Sequence, residues 1–457
     1  MTGIIQQIVF VIVLIGGITI FSLKMKKIIR NIKLGKDLDL SGNTGQRIKK
    51  MLLIAFGQKK MFKNLIPAFF HLLIYIGFII INIEILEIIL DGILGKHRIF
   101  FSDLGMNATL YSFIINTFEF LALGVIIACV AFLIRRHFLG IKRFQHSDLK
   151  RWPKLDADII LYVEIVLMGC FLFWNASDQS LQKIYASGGG TPENAAIYVE
   201  TGTFYLSSLL MPLLSGMGEG SLILLERTMW WGHIVGILIF LNYIPYSKHF
   251  HIMMAFPNTY FSRLQPQGEI YNMPEITREI EMMMNPDAAQ SGEEAPPPSK
   301  FGAKDVTDLN WKNLLDAYSC TECGRCTAAC PANQTGKLLS PRKIMMDTRD
   351  RLEEIGNNID KKGADFEDGK SLVSDEYITE EELRACTTCN ACVEECPINI
   401  NPLDIIYELR RNLIMEESKA PGEWNSMFTN IENNAAPWQF SQQDRLKWKD
   451  DLNDENK

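Results

Sequence analysis

The sequence predicts a mainly α-helical protein, a five-helix transmembrane bundle followed by an α-helical, water-facing domain. Two observations carry that expectation. Five runs with few or no charges, at about 4–23, 65–90, 109–134, 158–176 and 229–247, each come near the ~20 residues a helix needs to cross the hydrocarbon core. From residue 260 to the end of the 457-residue chain no run approaches that length. There, two copies of one cysteine pattern, CTECGRCTAACP (320–331) and CTTCNACVEECP (386–397), use eight of the ten cysteines.

The first run lacks a basic n-region and a small-residue cleavage site, and its positive charges follow the apolar core, so it reads as a retained helix and not a signal peptide. Loop charges then set the orientation. Lys24, Lys26, Lys27, Arg30, Lys33 and Lys36, with six further Lys and Arg up to Lys63, separate the first two runs. Arg135, Arg136, Lys142, Arg143, Lys150, Arg151 and Lys154 come after the third. The loops after runs two and four are poor in Lys and Arg. The positive-inside rule places the N-terminus outside and the second half in the cytoplasm, in the inner (plasma) membrane of a bacterium. TFYLSSLLMPLL (203–214) is short, contains Pro212 and would invert the next helix against the charge rule, so it is expected to lie on the outer surface.

These features divide the chain into a membrane domain (1–259), a linker (260–305) whose core is NPDAAQSGEEAPPPSK (285–300), a cysteine domain (306–420) and a polar tail (421–457). SPRKIMMDTRDRLEEI (340–355) and TEEELRACTTC (379–389) read as helical, with Ser340-Pro341 and the pair Thr379 and Glu382 as helix starts.

Cysteines on the reducing side of a membrane more often bind metal than form structural disulfides. The spacing C-x2-C-x2-C-x3-C-P is that of bacterial ferredoxins, in which three close thiolates grip one cubane and the fourth reaches to the other cluster. One [4Fe–4S] cluster is thus expected on Cys320, Cys323, Cys326 and Cys396, and a second on Cys386, Cys389, Cys392 and Cys330. Structural zinc wants two CxxC pairs, or Cys with His, and fits four cysteines in eleven residues poorly. The domain is therefore an α-helical two-cluster ferredoxin domain. Cys129 and Cys170 fall within apolar runs and read as core residues.

All seven histidines precede residue 252. His233 and His251 are eighteen residues apart, five turns of one helix, which would put them on one face ~27 Å apart. His249 falls nearly opposite, and Pro245 is a candidate kink. His71 is expected near the inner end of the second helix, at the level where His251 emerges, and two neutral imidazoles from different helices at one level make a b-haem site. His97, His137 and His146 lie in loops or at basic helix ends and read as structural. Glu119 and Glu164 fall inside spans, where an ionisable side chain suggests a proton or quinone site unless it is a hydrogen-bonded structural acid.

Helices two to five, with H-x17-H and the intervening Pro245 and Ser247, resemble the cytochrome b subunit of respiratory nitrate reductase. That resemblance implies a second, outer haem on His233, but its partner position is Ile81 in this chain, leaving His97 or another group to substitute. The second half is similar to the iron–sulfur subunit of heterodisulfide reductase and its anaerobic glycerol-3-phosphate dehydrogenase relatives, through the twin cysteine motifs and SPRK (340–343). The tail ENNAAPWQFSQQDRLKW (432–448) resembles the N-P-W…R…W tail of related fused proteins. No P-loop or dinucleotide fingerprint is present, no CCG-type cysteine pair, and nothing that points to nucleic acid. The expected role is an oxidoreductase subunit relaying electrons between the quinone pool, b haem, two [4Fe–4S] clusters and a soluble partner that holds the substrate site. That partner is expected to be a CCG-domain heterodisulfide-reductase-like subunit, a flavin dehydrogenase or an electron-transfer flavoprotein. The alternative is a haem-free, membrane-anchored iron–sulfur redox sensor or assembly platform.

Overall fold

The computed structural model describes residues 2–285, 300–363 and 366–454. Among these the chain is helical, with two isolated β-bridges (Lys36 to Asn310, Val373 to Ile378) and no strands. Five helices are long and apolar enough to cross a membrane: Gly3–Ile32, Leu65–Leu94, Ala108–His137, Trp152–Ala186 and Glu219–Tyr246. Each covers one of the five apolar runs to within a residue and most extend beyond it. Local chemistry sets their ends. The Asn107 side chain caps the third, accepting from Leu110 N at 2.8 Å. Gly95, at φ 66°, closes the second in the left-handed conformation that a Cβ would penalise. Pro153 stands in the first turn of the fourth, where a missing N–H costs nothing.

The bundle core is built from Phe10, Ile88, Tyr111, Phe171 and Trp174, all essentially inaccessible, while Ile4, Ile8, Ile12 and Ile15 of the first helix point outward. Gly92 allows the first and second helices to approach, since a Cβ there would stand 2.5 Å from the Phe10 ring.

Two expectations about the fifth span are corrected. The α-helix starts at Glu219, ten residues before the apolar run, so His233 lies about 21 Å from its start and about 15 Å from its end at Tyr243, near mid-helix and not near the outer end. His251 does not share that helix. Pro245 sits in a 3-10 turn (Ile244–Tyr246), Ser247 is extended, and its Oγ accepts from His249 N at 3.1 Å, starting a new turn that leads into the helix His251–Tyr260. Proline removes the N–H that would continue the ladder and serine caps the next turn, so counting 3.6 residues per turn across this segment fails. The 203–214 stretch is too short to be a sixth span: it forms a short helix (Tyr205–Leu210) and a 3-10 turn, with Tyr205, Leu209 and Leu213 exposed and Ser207 anchored against the third and fourth spans.

The second half contributes helices Trp311–Ser319, Arg325–Ala329, Pro341–Lys362, Glu380–Ala385, Ala391–Glu395 and Pro402–Arg411. Both expected starts are present: Ser340 Oγ accepts from Lys343 N at 3.3 Å, and Thr379 and Glu382 form a reciprocal capping box. Ile28, Ile244, Phe250 and Ala255 of the membrane half share one core with Leu314, Ile344 and Ile405 of the cluster domain. Ion pairs ring this joint. Lys24 meets Glu353 at 2.9 Å, Lys27 meets Asp360 at 2.8 Å beside Arg30, and Lys63 meets Glu395 at 2.9 Å. Arg342, fully buried, is paired with Asp148. The basic residues that indicate the side of the loops therefore also hold the cluster domain. Residues 286–299, most of the expected linker core, lie outside the described residues; before them is a helix, Pro274–Met284.

Candidate functional site

The two cysteine motifs adopt one backbone conformation twice. Cys320 and Cys386 sit at φ/ψ of −64/123° and −71/124°, and Cys330 and Cys396 at −73/119° and −69/122°. Between them, Glu322 and Thr388 share a positive φ (51° and 56°), as do Gly324 and Asn390 (71° and 61°). Gly and Asn are the residues that tolerate that region most cheaply. Each loop then enters a five-residue helix, and Pro331 or Pro397 comes directly after the fourth cysteine.

This repeat folds into two cavities. One is lined by Cys320, Cys323, Cys326 and Cys396, with Cys392 also on its wall. The other is lined by Cys330, Cys386, Cys389 and Cys392 together with Leu339, Leu403 and Ile406. The fourth cysteine of each motif thus faces the cavity of the other. Backbone amides point at the sulfurs: Ile400 N to Cys396 Sγ at 3.2 Å and Thr388 N to Cys386 Sγ at 3.4 Å. Burial, reinforced by neighbouring cysteines, pushes the Cys320, Cys392 and Cys396 thiols up to about 12. Crowded sulfurs of this kind become thiolates readily only against a cation, which suits iron binding. Cys389 alone of the eight is exposed.

At the cluster end of the bundle, His71, His249 and His251 converge. His71 and His251 lie within electrostatic range of each other, and His249 of both. The His249 and His251 rings stand 5.7 Å apart at 84°, and Phe240 lies 5.3 Å from His249. His251 Nδ1 bonds Lys248 O at 2.9 Å and His71 Nδ1 bonds Gln58 Oε1 at 3.1 Å. Each acceptor fixes the tautomer with the proton on Nδ1 and leaves Nε2 as the donor atom for a metal. His249 Nε2 is buried with no hydrogen-bond partner, and burial, helped by the two other imidazoles, pushes that ring down to about 3. Imidazoles from two segments, one nitrogen of each anchored or unpartnered, are the donor type that a b haem takes.

The same chemistry marks His233, whose Nδ1 bonds Leu167 O at 2.9 Å. Ile81 is buried in the same core and offers no ligand atom. His97 does not substitute, because its Nε2 is taken by Asp178 (3.0 Å) and its Nδ1 by Arg227 (3.2 Å). His137 and His146 pair with Asp158 (3.2 Å) and Asp148 (2.8 Å). Glu119 accepts from Leu206 N (2.9 Å), Ser207 N (3.2 Å) and Asn175 Nδ2 (3.2 Å), capping the start of the short helix, as a structural carboxylate would. Glu164 is half-buried beside Cys129.

Two positioning residues carry no signal in the sequence. Lys248 presents its carbonyl to His251 and its ammonium to Glu322 Oε2 at 2.8 Å, inside the Cys320–Cys323 loop. Glu322 also takes Arg349 at 2.7 Å; burial works against its ionisation, but the two cations hold its carboxyl below the usual range. Gln58 is the other, placed just after a π-turn (Leu52–Phe56) that no periodicity signals.

Residues 319–400 match the 4Fe–4S dicluster domain family. Over 98% of its length the chain is 27% identical to the "Probable iron-sulfur-binding oxidoreductase FadF" of Bacillus subtilis (strain 168), covering 61% of that protein. Over 89% it is 26% identical to the "EtfAB:quinone oxidoreductase" of Syntrophomonas wolfei, covering 54% of it. A third relative, 34% identical over 23% of this chain and 52% of its own, is a subunit of the "Ferredoxin/F(420)H(2)-dependent CoB-CoM heterodisulfide reductase" of Methanosarcina acetivorans. The chain thus spans less than two thirds of the first two relatives. No solved structure matches. A 4Fe–4S dicluster segment behind five membrane-length apolar helices, related to iron–sulfur oxidoreductases and heterodisulfide reductase subunits, is established by these observations.

Proposed function

We propose that the chain relays electrons between a membrane quinone and a soluble redox partner. Two [4Fe–4S] clusters on the eight cysteines, and a b haem between His71 and His251, would supply one-electron carriers from the bilayer to solvent. The observation that carries this reading is Lys248, one residue that orients the histidine through its carbonyl and tethers the first cysteine loop through its ammonium. The cytochrome b resemblance and the relative named as a quinone oxidoreductase support the quinone. Glu164, unlike Glu119, is not committed to a helix start, and we assign it the proton or quinone role.

The chain's own residues position and shield. Arg410 donates to Cys386 O at 2.6 Å and fixes the start of the second loop. Arg342 donates to Arg143 O at 3.0 Å and pairs with Asp148, docking the first loop on the segment after the third span. Leu339, Leu403 and Ile406 dry the second cavity, while exposed Cys389 marks where a partner would approach. That partner is a CCG-domain subunit, a flavin dehydrogenase or an electron-transfer flavoprotein, and the substrate site is on it.

The purified protein is expected to show a b-type α-band in a reduced-minus-oxidised spectrum, with about eight cluster irons and eight acid-labile sulfides in addition to haem iron. Cys386→Ser should remove or convert one cluster by EPR and spare the other. Stoichiometric zinc with no EPR signal on reduction would sink the cluster assignment.

The loop charges further support an outside N-terminus and a cytoplasmic cluster domain. A reporter fused after Lys457 should behave as cytoplasmic and one inserted near Gly189 as external. The reverse pattern would break both the topology and the reducing compartment of the cysteines.

A further inference from the structure

A partly open cavity lies between the connecting segments of the membrane half and the cluster domain. Lys50, Lys60, Arg263 and Lys312 line it, with Asp316 and Asp404, and Asn390 of the second cysteine motif closes one side. The cations are unequally matched. Lys312 is satisfied by Asp316 at 2.5 Å and by Asn258 Oδ1 at 3.0 Å. Among the described residues Lys50 hydrogen-bonds a carbonyl, that of Arg263, and no carboxylate, and Lys60 reaches Val393 O at 3.4 Å with Glu394 at 3.9 Å. Arg263 lies 4.2 Å over the Tyr271 ring and faces Asp404 at 3.6 Å, too far for a hydrogen bond, and its Nε and Nη2 are buried without hydrogen-bond partners among the described residues.

Such an arrangement is costly in isolation. Burial lowers the proton affinity of Lys50, and repulsion from Lys60, Arg47 and Lys312 lowers it further. Burial likewise lowers that of Lys60, although Glu394 pulls the other way. Buried guanidinium donors with no acceptor carry a desolvation penalty that an anion would remove. A metal cation is disfavoured by the same charges. The planar donors of Arg263 and the point charges of two lysines match the geometry of a phosphoryl group.

We propose that this cavity binds a phosphoryl oxyanion, with Lys50, Lys60 and Arg263 as its ligands. The group comes from an anionic lipid head or from a soluble phosphate compound, and the surroundings favour the lipid. Lys50 sits at the end of the helix Thr44–Met51, and the adjoining turn presents Leu52, Leu53 and Phe56 roughly half exposed, a surface suited to acyl chains. The bound anion would neutralise the Lys50 and Lys60 repulsion and clamp the membrane stem to the second cysteine motif through Asn390.

The full chain is tested in nanodiscs of phosphatidylcholine with and without phosphatidylglycerol, and in detergent with and without inorganic phosphate. Phosphatidylglycerol is expected to raise the unfolding midpoint by roughly 2–4 °C, a shift that Lys50→Gln and Arg263→Gln each abolish and the exposed-site control Lys449→Gln retains. Native mass spectrometry of wild-type protein should find phosphatidylglycerol retained through detergent exchange, which needs no variant to fold. A shift with inorganic phosphate that the same variants abolish would assign the site to a soluble phosphate compound. The proposal is overturned if neither phosphate source shifts the midpoint and no phospholipid is retained, or if the shifts persist in both variants.

Discussion

His71→Ala and His251→Ala are each expected to abolish the main b-haem absorbance, whereas His233→Ala keeps much of it. His71 and His251 come from different segments and lie within electrostatic range, each with Nδ1 anchored so that Nε2 is available. His233 has the same anchored geometry but Ile81 where a partner imidazole would be needed, and His97 is consumed by Asp178 and Arg227. Losing either inner ligand should stop quinol from reducing the clusters while dithionite still reduces them, because the cysteine cavities contain neither histidine. Full haem absorbance and quinol-driven cluster reduction in His71→Ala would end the inner-haem reading. An intact spectrum in His251→Ala alone would instead transfer ligation to His249, whose Nε2 is already buried and unpartnered.

How much of this was legible in the sequence depends on the range of the interaction. The five spans come from run length, since lipid demands about twenty apolar residues irrespective of neighbours. The starts at Ser340 and Thr379 come from side chains that bond amides three residues on. The crossed cysteine sets come from spacing, because a cubane forces three close thiolates together. What failed was extrapolation across a break: the eighteen-residue count from His233 to His251 passed through Pro245, which interrupts the hydrogen-bond ladder, and Ser247, which caps a new turn. The anchoring of Ser207 was hidden for a different reason. Its carboxylate partner, Glu119, lies 88 residues from Ser207 and no short-range pattern links them. Gln58 and Lys248 likewise acquire their roles only through contacts made in the folded chain.

The positive loops show one signal serving two ends. Lys24, Lys27, Arg30 and Lys63 belong to the basic loop from which the orientation is expected, and each also pairs with a carboxylate of the cluster domain. Surface pairs of this kind contribute little singly, roughly 0–1 kcal/mol. The docking is therefore expected to rest more on the shared apolar core around Ile28, Phe250 and Ile344.

Cys396→Ser should remove or convert the cluster of the first motif, not that of the motif in which it lies. Its sulfur lines the cavity of Cys320, Cys323 and Cys326, and Ile400 N points at it from 3.2 Å. Pro397 stands after it as Pro331 stands after Cys330, so each motif sends its last cysteine across to its twin. Serine offers a harder, more basic oxygen in place of a thiolate, so the expected products are an absent cluster or one stripped of an iron. Iron content should fall by between about one and about four of the cluster total. EPR should then pair the variants by cavity: Cys396→Ser with Cys320→Ser, and Cys330→Ser with Cys386→Ser. The pairing separates two folds of the same motif. If each motif instead closed its own cubane, Cys396→Ser would reproduce the Cys386→Ser spectrum, and the crossed assignment would be lost. Cys392 on the wall of both cavities sharpens the comparison, since Cys392→Ser should reproduce Cys386→Ser if it serves the second cluster, and Cys320→Ser if it serves the first.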